Sequence, residues 1–407
     1  MQRSSASDGP ATSPQQLRRS NMRIVLDIFW SMPADAVLTA GELIEHAGLT
    51  RATVLGVCDD LIALGWIREV APAATASAVR GRRSRHFAFR FDAGYVVGID
   101  LDFVSVRAVV ATLDGTIIGR GGRMFPPDEH ADRLVHVRTV VHDALATAAV
   151  TPEQVSALCL GVSAPVDRHG RLPPGNPYWD KVRIDPAQIV DNYQGQQPVI
   201  ENDANLAARA EQRFRNLGDN FVTLLTNENL GAGVVAEGML LRGHHGGAGE
   251  LVYLERVAGV GDVGGIEGLA QQWAAAALAT GRPSTLAMPP EDGSGYPTAE
   301  EVFTAAAQGD SLAIDIVNLL AQRLSIVVAT IASFVNPETV VIAGAIAPAC
   351  DILIEAIKEH IGDHTLVPPA VISSQLGADV VLIGAVQSAI DYVREQALDR
   401  PAASGST

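Results

Sequence analysis

Hydrophobic residues recur at helical spacing near the start of the chain. Between residues 17 and 30 the apolar positions fall three or four apart, which predicts an amphipathic helix. A second helix is predicted after Thr39, because Glu42 can complete a capping box with it, and Gly48 ends that helix. A third helix is predicted to begin at Thr50, with an inner apolar face made of Ala52, Val54 (or Leu55), Val57, Leu61 and Ile62.

Two short apolar segments, residues 65–69 and 86–90, follow the third helix and predict a hairpin whose loop is rich in Arg. This order predicts a winged helix-turn-helix over residues 17–92, with the third helix as the recognition helix. Arg side chains in such a loop suit a phosphate backbone or a narrow minor groove. Contacts to DNA are predicted for Thr50, Arg51, Thr53, Arg82 and Arg83. A protein-interaction module of the same shape is the alternative.

After residue 94 the pattern changes to strands. Two strands lie too close together for a crossover helix and predict a hairpin, and Asp114-Gly115 predicts the turn into a third strand. A helix over about 131–149 and a buried strand over 157–163 follow, and the same order begins again near residue 221. This repeat predicts an α/β fold with two actin-like, ribonuclease H-like lobes and a cleft between them. The predicted lobes are residues 94–197 with 385–396, and residues 198–384.

The acidic and amide-rich stretch Glu201-Asn202-Asp203 closes an apolar strand and opens an Ala-rich helix. Ligands collect at strand ends in open α/β sheets, and carboxylate and amide groups together suit the hydroxyls of a polyol. Asp203 could take a proton from a hydroxyl as a general base or accept its hydrogen bond. The alternative is that Asp203 or Asn202 only caps the helix.

Charge differs between the two parts of the 407-residue chain, whose net charge is -16. Residues 1–90 hold 11 Arg and no Lys against 8 acidic residues, whereas the remainder holds 19 basic and 38 acidic residues. A basic module on an acidic body fits DNA contact by the module alone, although the asymmetry could be incidental.

Composition also bears on where the chain acts. No stretch of 18 uncharged apolar residues is present, so no membrane span is expected. Residues 1–16 lack the apolar core of a signal peptide and are predicted to be disordered, as is the tail over 397–407. The cysteines Cys58, Cys159 and Cys350 are far apart, which favours a reducing cytoplasm over a disulfide framework or a Cys-based metal site.

These residues resemble the ROK family, which comprises sugar kinases and the sugar-responsive repressors derived from them. Residues 17–21 and 48–54 are similar to the winged-helix half of the repressors, and Glu201–Asn205 to the sugar motif of the family. Gly249-Glu250 and Asn336-Pro337-Glu338 match two further segments, so the resemblance runs from about residue 17 to 393. It places Asp203 at the position of the catalytic base. It implies a ligand site made of Asn176, Glu201, Asn202, Asp203, Glu250 and Tyr253.

The phosphate-binding segments depart from the kinase pattern. The Asp of the first phosphate-binding segment is present as Asp100, but Asp102, Phe103 and Val104 stand where the family kinases carry Gly-Gly-Thr. In the second phosphate-binding loop, the resemblance places Glu228 at a position that carries no acidic residue in the kinase pattern. Glycine lets backbone amides approach phosphate closely, whereas like charges about 4 Å apart cost on the order of 4 kcal/mol at an effective dielectric of about 20. ATP binding and kinase activity are therefore not expected.

The zinc site of the family is also altered. The resemblance puts Tyr253 at its His position and Ala258, Val260 and Gly265 at its three Cys positions. Without a thiolate or imidazole at these four positions, zinc is not expected as a cofactor. Tyr253 can still offer a hydroxyl and a stacking face to a ligand.

The sequence therefore predicts a cytoplasmic regulator that responds to a sugar or another metabolite and acts as a repressor. It is expected to be a homodimer or homotetramer that binds a palindromic double-stranded DNA operator and no membrane. Two alternatives stay open. One is an active ATP-dependent sugar kinase with an appended winged helix, and the other a constitutive DNA binder with a vestigial pocket.

Overall fold

A computed structural model of the chain describes residues 13–71, 84–125, 133–173, 186–189, 198–227, 229–262, 264–287 and 296–399. Four residues singled out by the sequence lie outside these ranges, namely Arg82, Arg83, Asn176 and Glu228.

The N-terminal unit consists of helices packed on a small antiparallel sheet of strand order β1-β3-β2. Its elements are α1 Pro14–Ser31, β1 Val37–Thr39, α2 Ala40–Ala47, α3 Arg51–Ala63, β2 Ile67–Val70 and β3 His86–Phe89. The capping box between Thr39 and Glu42 is confirmed, and Gly48 ends α2 with φ of 63°. The three helices fit a helix-turn-helix, and β2 and β3 form the predicted hairpin.

Helix α1 begins three residues before the predicted first position. Ser13 caps it, since the Ser13 Oγ accepts from the Gln16 amide at 3.2 Å and the Gln16 Oε1 accepts from the Ser13 amide at 2.8 Å. Residues 14–16 are therefore helical, which corrects the expectation of disorder up to residue 16.

The inner face of α3 is only partly as predicted. Val54, Val57 and Leu61 are buried, but Ala52 is exposed and Cys58 takes a core position instead. Positions 54, 57, 58 and 61 follow the i, i+3, i+4, i+7 spacing of one helix face, and residue 52 lies on the opposite side.

The first lobe contains β4 Tyr95–Leu101, β5 Ser105–Thr112, β6 Ile117–Met124, α4 Arg133–Ala148, β7 Val155–Val162, α5 Pro186–Ile189 and β8 Val199–Asn202. Its sheet has the order β6-β5-β4-β7-β8. Strands β4, β5 and β6 are antiparallel neighbours, while β7 and β8 run parallel to β4.

The second lobe repeats this arrangement in a sheet of order β11-β10-β9-β12-β13, with β12 and β13 parallel to β9. The remaining elements are α6 Asp203–Phe214, β9 Phe221–Thr226, β10 Leu230–Ala236, β11 Met239–Leu241, α7 Ile266–Ala279, α8 Ala299–Ala307, α9 Ser311–Val335, β12 Thr339–Ala343, α10 Asp351–Ile361, β13 Ala370–Ser373 and α11 Val380–Gln396. The predicted internal repeat is confirmed.

The predicted boundaries of the lobes need two corrections. Strand β8 pairs with β7, with Val199 opposite Cys159, so the apolar run before α6 belongs to the first sheet and the break after residue 197 comes too early. The C-terminal piece of the first lobe begins at Val380 rather than residue 385. Helix α11 starts there, and Val380, Val381 and Leu382 are already buried in the core beneath the first sheet.

Helix α9 is the one described helix that is long and apolar enough to cross a membrane by length and composition. Its most apolar window is 67% buried within the protein. Leu320, Leu324 and Val328 pack in the core of the second lobe, so α9 has the surroundings of a core helix.

The three cysteines are free thiols in separate buried positions. Burial raises the pKa of Cys58 and of Cys350 to about 12, so both stay protonated at neutral pH. Burial also raises the pKa of Cys159. A buried protonated thiol behaves as a small apolar side chain.

Helices α6 and α11 cross at very short distance. A Cβ atom added to Gly384 would lie 2.0 Å from the Leu206 carbonyl oxygen. The end of α11 and the residue after it hold the N-terminal unit, since the Trp66 Nε1 donates to the Ala397 carbonyl at 2.8 Å and the Arg394 Nε to Asp27 at 2.9 Å. Ala397 is buried, which corrects the expectation of disorder from residue 397. The two helices therefore connect the β8–α6 junction to the N-terminal unit.

We expect Gly384→Ala to lower the free energy of unfolding by about 2 kcal/mol or more, because the added methyl group must push two packed helices apart. Gly268→Ala in α7 is the matched control, since its Cβ would meet nothing within 4 Å and Ala favours helix. Urea unfolding of both variants measures the difference. A Gly384→Ala variant as stable as the parent would show that the crossing is loose.

Candidate functional site

A cavity of about 340 Å³ lies between the lobes, where strand ends of both sheets converge. The first lobe contributes the β4–β5 turn, the end of β7 and the β8–α6 junction. The second contributes the β9–β10 turn and the segment after β11. The lining residues are Asp102, Phe103, Ser163, Pro165, Asn202, Asp203, Leu225, Asn227, Asn229, Leu230, Gly231, Glu250 and Val252. A concave site at the mouth of two sheets is a typical ligand position.

Asp203 is the first residue of α6 and lines this cavity. The Ser163 Oγ donates to its Oδ2 at 2.5 Å, and the Ala204 amide donates to its Oδ1 at 2.8 Å. Burial raises the pKa of Asp203 to about 7, the Ser163 hydroxyl opposes that shift, and the nearby Asp100 carboxylate adds to it. A carboxyl that titrates near neutral pH is suited to accept a hydroxyl proton or its hydrogen bond.

Asn202 caps α6, and is one of the two residues for which the sequence left the capping role open. Its Oδ1 accepts from the Asn205 amide at 3.0 Å and its Nδ2 donates to the Ala164 carbonyl at 3.2 Å. The side chain is buried and touches the cavity wall with its polar atoms already engaged. The cap is therefore Asn202, and Asp203 remains available to the cavity.

Glu201 does not line the cavity but lies behind it. Its Oε2 accepts from the Arg242 Nε at 2.8 Å and Nη2 at 2.5 Å, while its Oε1 accepts from the Asn202 amide at 3.1 Å and the Asn205 Nδ2 at 3.0 Å. A buried carboxylate with four donors is well compensated. Glu201 therefore fixes the β8–α6 junction instead of facing a ligand.

Glu250 lies on the second-lobe side of the cavity, beside Gly231 on strand β10. Its side chain is open to the cleft, yet the concave wall displaces enough water that burial raises its pKa. Tyr253 is 70% exposed and stands outside the cavity lining, with the Arg256 guanidinium 5.8 Å from its ring centre. Val252 lines the cavity instead of Tyr253, which the sequence had predicted as a ligand contact.

The β4–β5 turn presents a carboxylate and a ring to the cavity. The Phe103 amide donates to the Asp102 Oδ1 at 2.6 Å, and the Asp102 amide donates to the Ser105 carbonyl at 2.9 Å. Both backbone donors are therefore used within the turn. Asp100, just before it, accepts from Arg107 at 2.6 Å, and burial raises its pKa.

Two glycines allow neighbouring backbone to lie very close to the β9–β10 turn. A Cβ at Gly344 would lie 2.8 Å from the Asn227 Oδ1, and one at Gly265 would lie 1.6 Å from the Asn227 carbonyl oxygen. Asn229 pairs with Gly264 across an isolated bridge. The loop over 258–265 therefore forms the support for this wall of the cavity.

Arg323 of α9 organises that loop and is a residue that the sequence reasoning missed. It is 3% exposed and donates to the carbonyls of Val260 at 3.1 Å, Asp262 at 2.9 and 2.6 Å, and Gly264 at 2.8 Å. Burial lowers its pKa to about 10, so it stays charged at neutral pH. An Arg within an otherwise apolar helix was the available signal.

The described residues supply no donor set for a metal in this region. Ala258, Val260 and Gly265 carry no metal-ligating side chain, and no group of three His, Cys, Asp or Glu residues in the described ranges is arranged to hold an ion. The zinc chemistry of the family therefore does not fit these residues.

The predicted DNA contacts of α3 meet at its N-terminus. Thr50 caps the helix, since its Oγ1 accepts from the Thr53 amide at 3.3 Å and lies 2.9 Å from the Thr53 Oγ1. Arg51 is exposed, and its side chain has no ion pair in the part of the chain that the structure describes. Arg85 of the hairpin is engaged with Asp59 and Glu69, both at 2.8 Å. Arg51 is therefore the available cation on α3.

The chain is similar to both kinases and repressors. A glucokinase of Halalkalibacterium halodurans is 32% identical over 182 residues, which cover 41% of this chain and 54% of that protein, so the chain spans about half of its length. The xylose repressor of Caldicellulosiruptor bescii is 23% identical over 81% of this chain and 85% of the repressor.

A solved structure described as a ROK family transcriptional regulator, homolog of the E. coli MLC protein, has the same fold. It superposes with a TM-score of 0.71 at 21% identity, over 94% of this chain and 98% of that chain. Residues 96–391 match the sequence pattern that defines the ROK family, which is well over half of the chain. This chain belongs to the ROK family.

Proposed function

We propose that this chain is a DNA-binding transcriptional regulator, acting as a repressor, whose cleft binds a sugar or a related metabolite. The observation that carries the proposal is the joining of a helix-turn-helix unit to a ROK body in one chain. The xylose repressor of Caldicellulosiruptor bescii supports it, because the similarity extends over 81% of this chain and 85% of that repressor.

The cleft offers the chemistry that a polyol needs. Asp203 and Glu250 supply carboxylates from the two lobes, and Asn227 and Asn229 supply amides from one turn. A neutral ligand with several hydroxyls would bridge these groups and favour the closed arrangement of the lobes. A shift of α6 would then displace α11 and, with it, the N-terminal unit. The displaced N-terminal units of a symmetric dimer or tetramer would fit a two-fold operator differently.

The same cleft is poorly suited to bind ATP. In the β4–β5 turn the amides of Asp102 and Phe103 are already bonded within the protein, and the Asp102 carboxylate faces the cavity. A phosphate group would meet negative charge instead of free donors. We therefore propose that kinase activity is absent, whereas the glucokinase relative keeps an active sugar kinase as the second candidate.

The test of the proposal is binding of the purified chain to labelled DNA from its own upstream region at fixed salt, with and without a panel of sugars and amino sugars. Specific binding that one sugar weakens is expected. Specific binding that no sugar changes would favour a vestigial pocket, and absence of specific binding would refute the regulator.

We expect no release of ADP when the chain is incubated with Mg-ATP and glucose or N-acetylmannosamine, beyond the background of an Asp203→Asn variant. A coupled ADP assay makes the measurement. Sugar-dependent ADP release that the Asp203→Asn change abolishes would establish the kinase instead.

Arg51→Gln is expected to weaken operator binding and to lower the slope of log affinity against log salt by about 1 per lost phosphate contact. Arg282→Gln is the matched control, because Arg282 is an exposed Arg of the second lobe whose ion pair with Asp315 is exposed as well. Filter binding across a salt series measures both. Equal slopes for the two variants would argue against α3 as the DNA-facing helix.

Asp203→Asn is expected to weaken sugar binding at pH 8 while leaving operator affinity unchanged. Because the pKa of Asp203 is raised to about 7, the ionised acceptor is present above that pH and is lost as the pH falls through it. Sugar affinity of the parent chain should therefore decline from pH 8 to pH 6, and that of the variant should stay flat. Calorimetric titration with Asp363→Asn as an exposed control checks this, and a pH-independent parent would contradict it.

A further inference from the structure

A second and larger cavity, of about 720 Å³, lies at the junction between the N-terminal unit and the body. Its wall is formed by the end of α1 and the segment after it, by the β5–β6 turn, and by α6 and α11. It shares no lining residue with the cleft between the lobes. Both its volume and its place between two structural units are typical of sites for small molecules.

The carboxylates in the wall of this junction cavity already have hydrogen-bond partners within the protein. Asp391 accepts from the Arg209 Nη1 at 2.9 Å and from the Gln387 Nε2 at 3.2 Å. Asp114 accepts from the Thr116 amide at 2.9 Å within the β5–β6 turn. Arg209 neutralises Asp391, whereas Asp114 keeps its charge. The wall as a whole holds the three cations Arg209, Arg213 and Arg394 against these two carboxylates.

The unmatched polar groups that we find in the same wall are donors. Arg213, near the end of α6, is exposed and has no ion pair or side-chain hydrogen bond among the described residues. The Nε of Arg209 and the Nε1 of Trp30 are buried without an acceptor. Buried donors without partners are uncommon in folded proteins, and both belong to side chains of this cavity wall.

The cavity also has an apolar side. Trp30, Met32 and Phe91 line it together with Leu113 and Ile390. An inorganic anion would leave this surface in contact with water, whereas a ligand with a ring or carbon chain would cover it. Cationic and aromatic groups on one wall therefore select for a molecule that has both an anionic and an apolar part.

We propose that the junction cavity binds a small organic anion, a carboxylate or phosphate ester carried on a ring or short carbon chain, with Arg213 as its principal charge partner. Because the wall is built from both units, the bound anion holds the N-terminal unit against the body. This site takes a charged ligand, whereas the cleft takes a neutral polyol. The proposal does not depend on DNA binding and holds or fails separately from it.

The direct test is calorimetric titration of the full chain with phenyl phosphate, benzoate and inorganic phosphate. The first two carry an apolar ring, and none of the three is a polyol of the kind proposed for the cleft. Saturable binding of phenyl phosphate or benzoate is expected, weakened about tenfold or more by Arg213→Gln and unchanged by Arg282→Gln. Binding of the first alone identifies a phosphate ester, and binding of the second alone identifies a carboxylate.

Three results would overturn the proposal. One is no saturable binding of either organic anion below about 10 mM. Another is equal affinity of the parent and Arg213→Gln. The third is inorganic phosphate bound as tightly as the organic anions, since the apolar wall would then contribute nothing.

Thermal unfolding gives a second readout that needs no assumption about heat of binding. A ligand that binds only the folded chain raises its melting temperature. The organic anion that binds should raise the Tm of the parent and of Arg282→Gln, but not that of Arg213→Gln at the same concentration. Because Arg213 is exposed and unpaired in the described structure, its replacement should not disturb folding.

Discussion

The contact between Leu206 on α6 and Gly384 on α11 is the constraint on which the rest of the arrangement depends. No side chain fits between the two backbones there, so the helices are held as one packed pair. The N-terminus of α6 carries Asp203 into the cleft, and the far end of α11 holds the N-terminal unit through the Ala397 carbonyl and Arg394. Packed interfaces do not deform continuously, so displacement at one end must move the other.

Each wall of the cleft is fixed from behind by an arginine that does not line it. On the first-lobe side Arg242 holds Glu201, which in turn orders the residues around the cap of α6. On the other side Arg323 holds the loop that supports Asn227 and Asn229. Both sets of contacts are charge-assisted, with Arg242 on one carboxylate oxygen and Arg323 on three carbonyls. They hold the cavity residues in position without entering the cavity.

The fold could be predicted to the level of helices, hairpins and the internal repeat, because caps and short turns are local in sequence. The roles of Glu201, Asn202 and Asp203 could not, although the three are adjacent. One pairs with Arg242, 41 residues away, one caps α6, and one faces the cleft. Arg323 acts on Val260, 63 residues away, and β8 joins the first sheet through parallel pairing. Such long-range partners leave no periodic signal.

A cleft that holds its ligand without converting it serves a regulator better than one that turns it over. Ligand can shift a conformational equilibrium only by its difference in affinity between the two states, and it must stay bound for that difference to act. The bonded amides and the carboxylate at Asp102 work against phosphate. Asp203, with its pKa near neutrality, can still accept a hydrogen bond from a ligand hydroxyl. In the proposed regulator, loss of the phosphate site and retention of the polyol site would be two parts of one change of function.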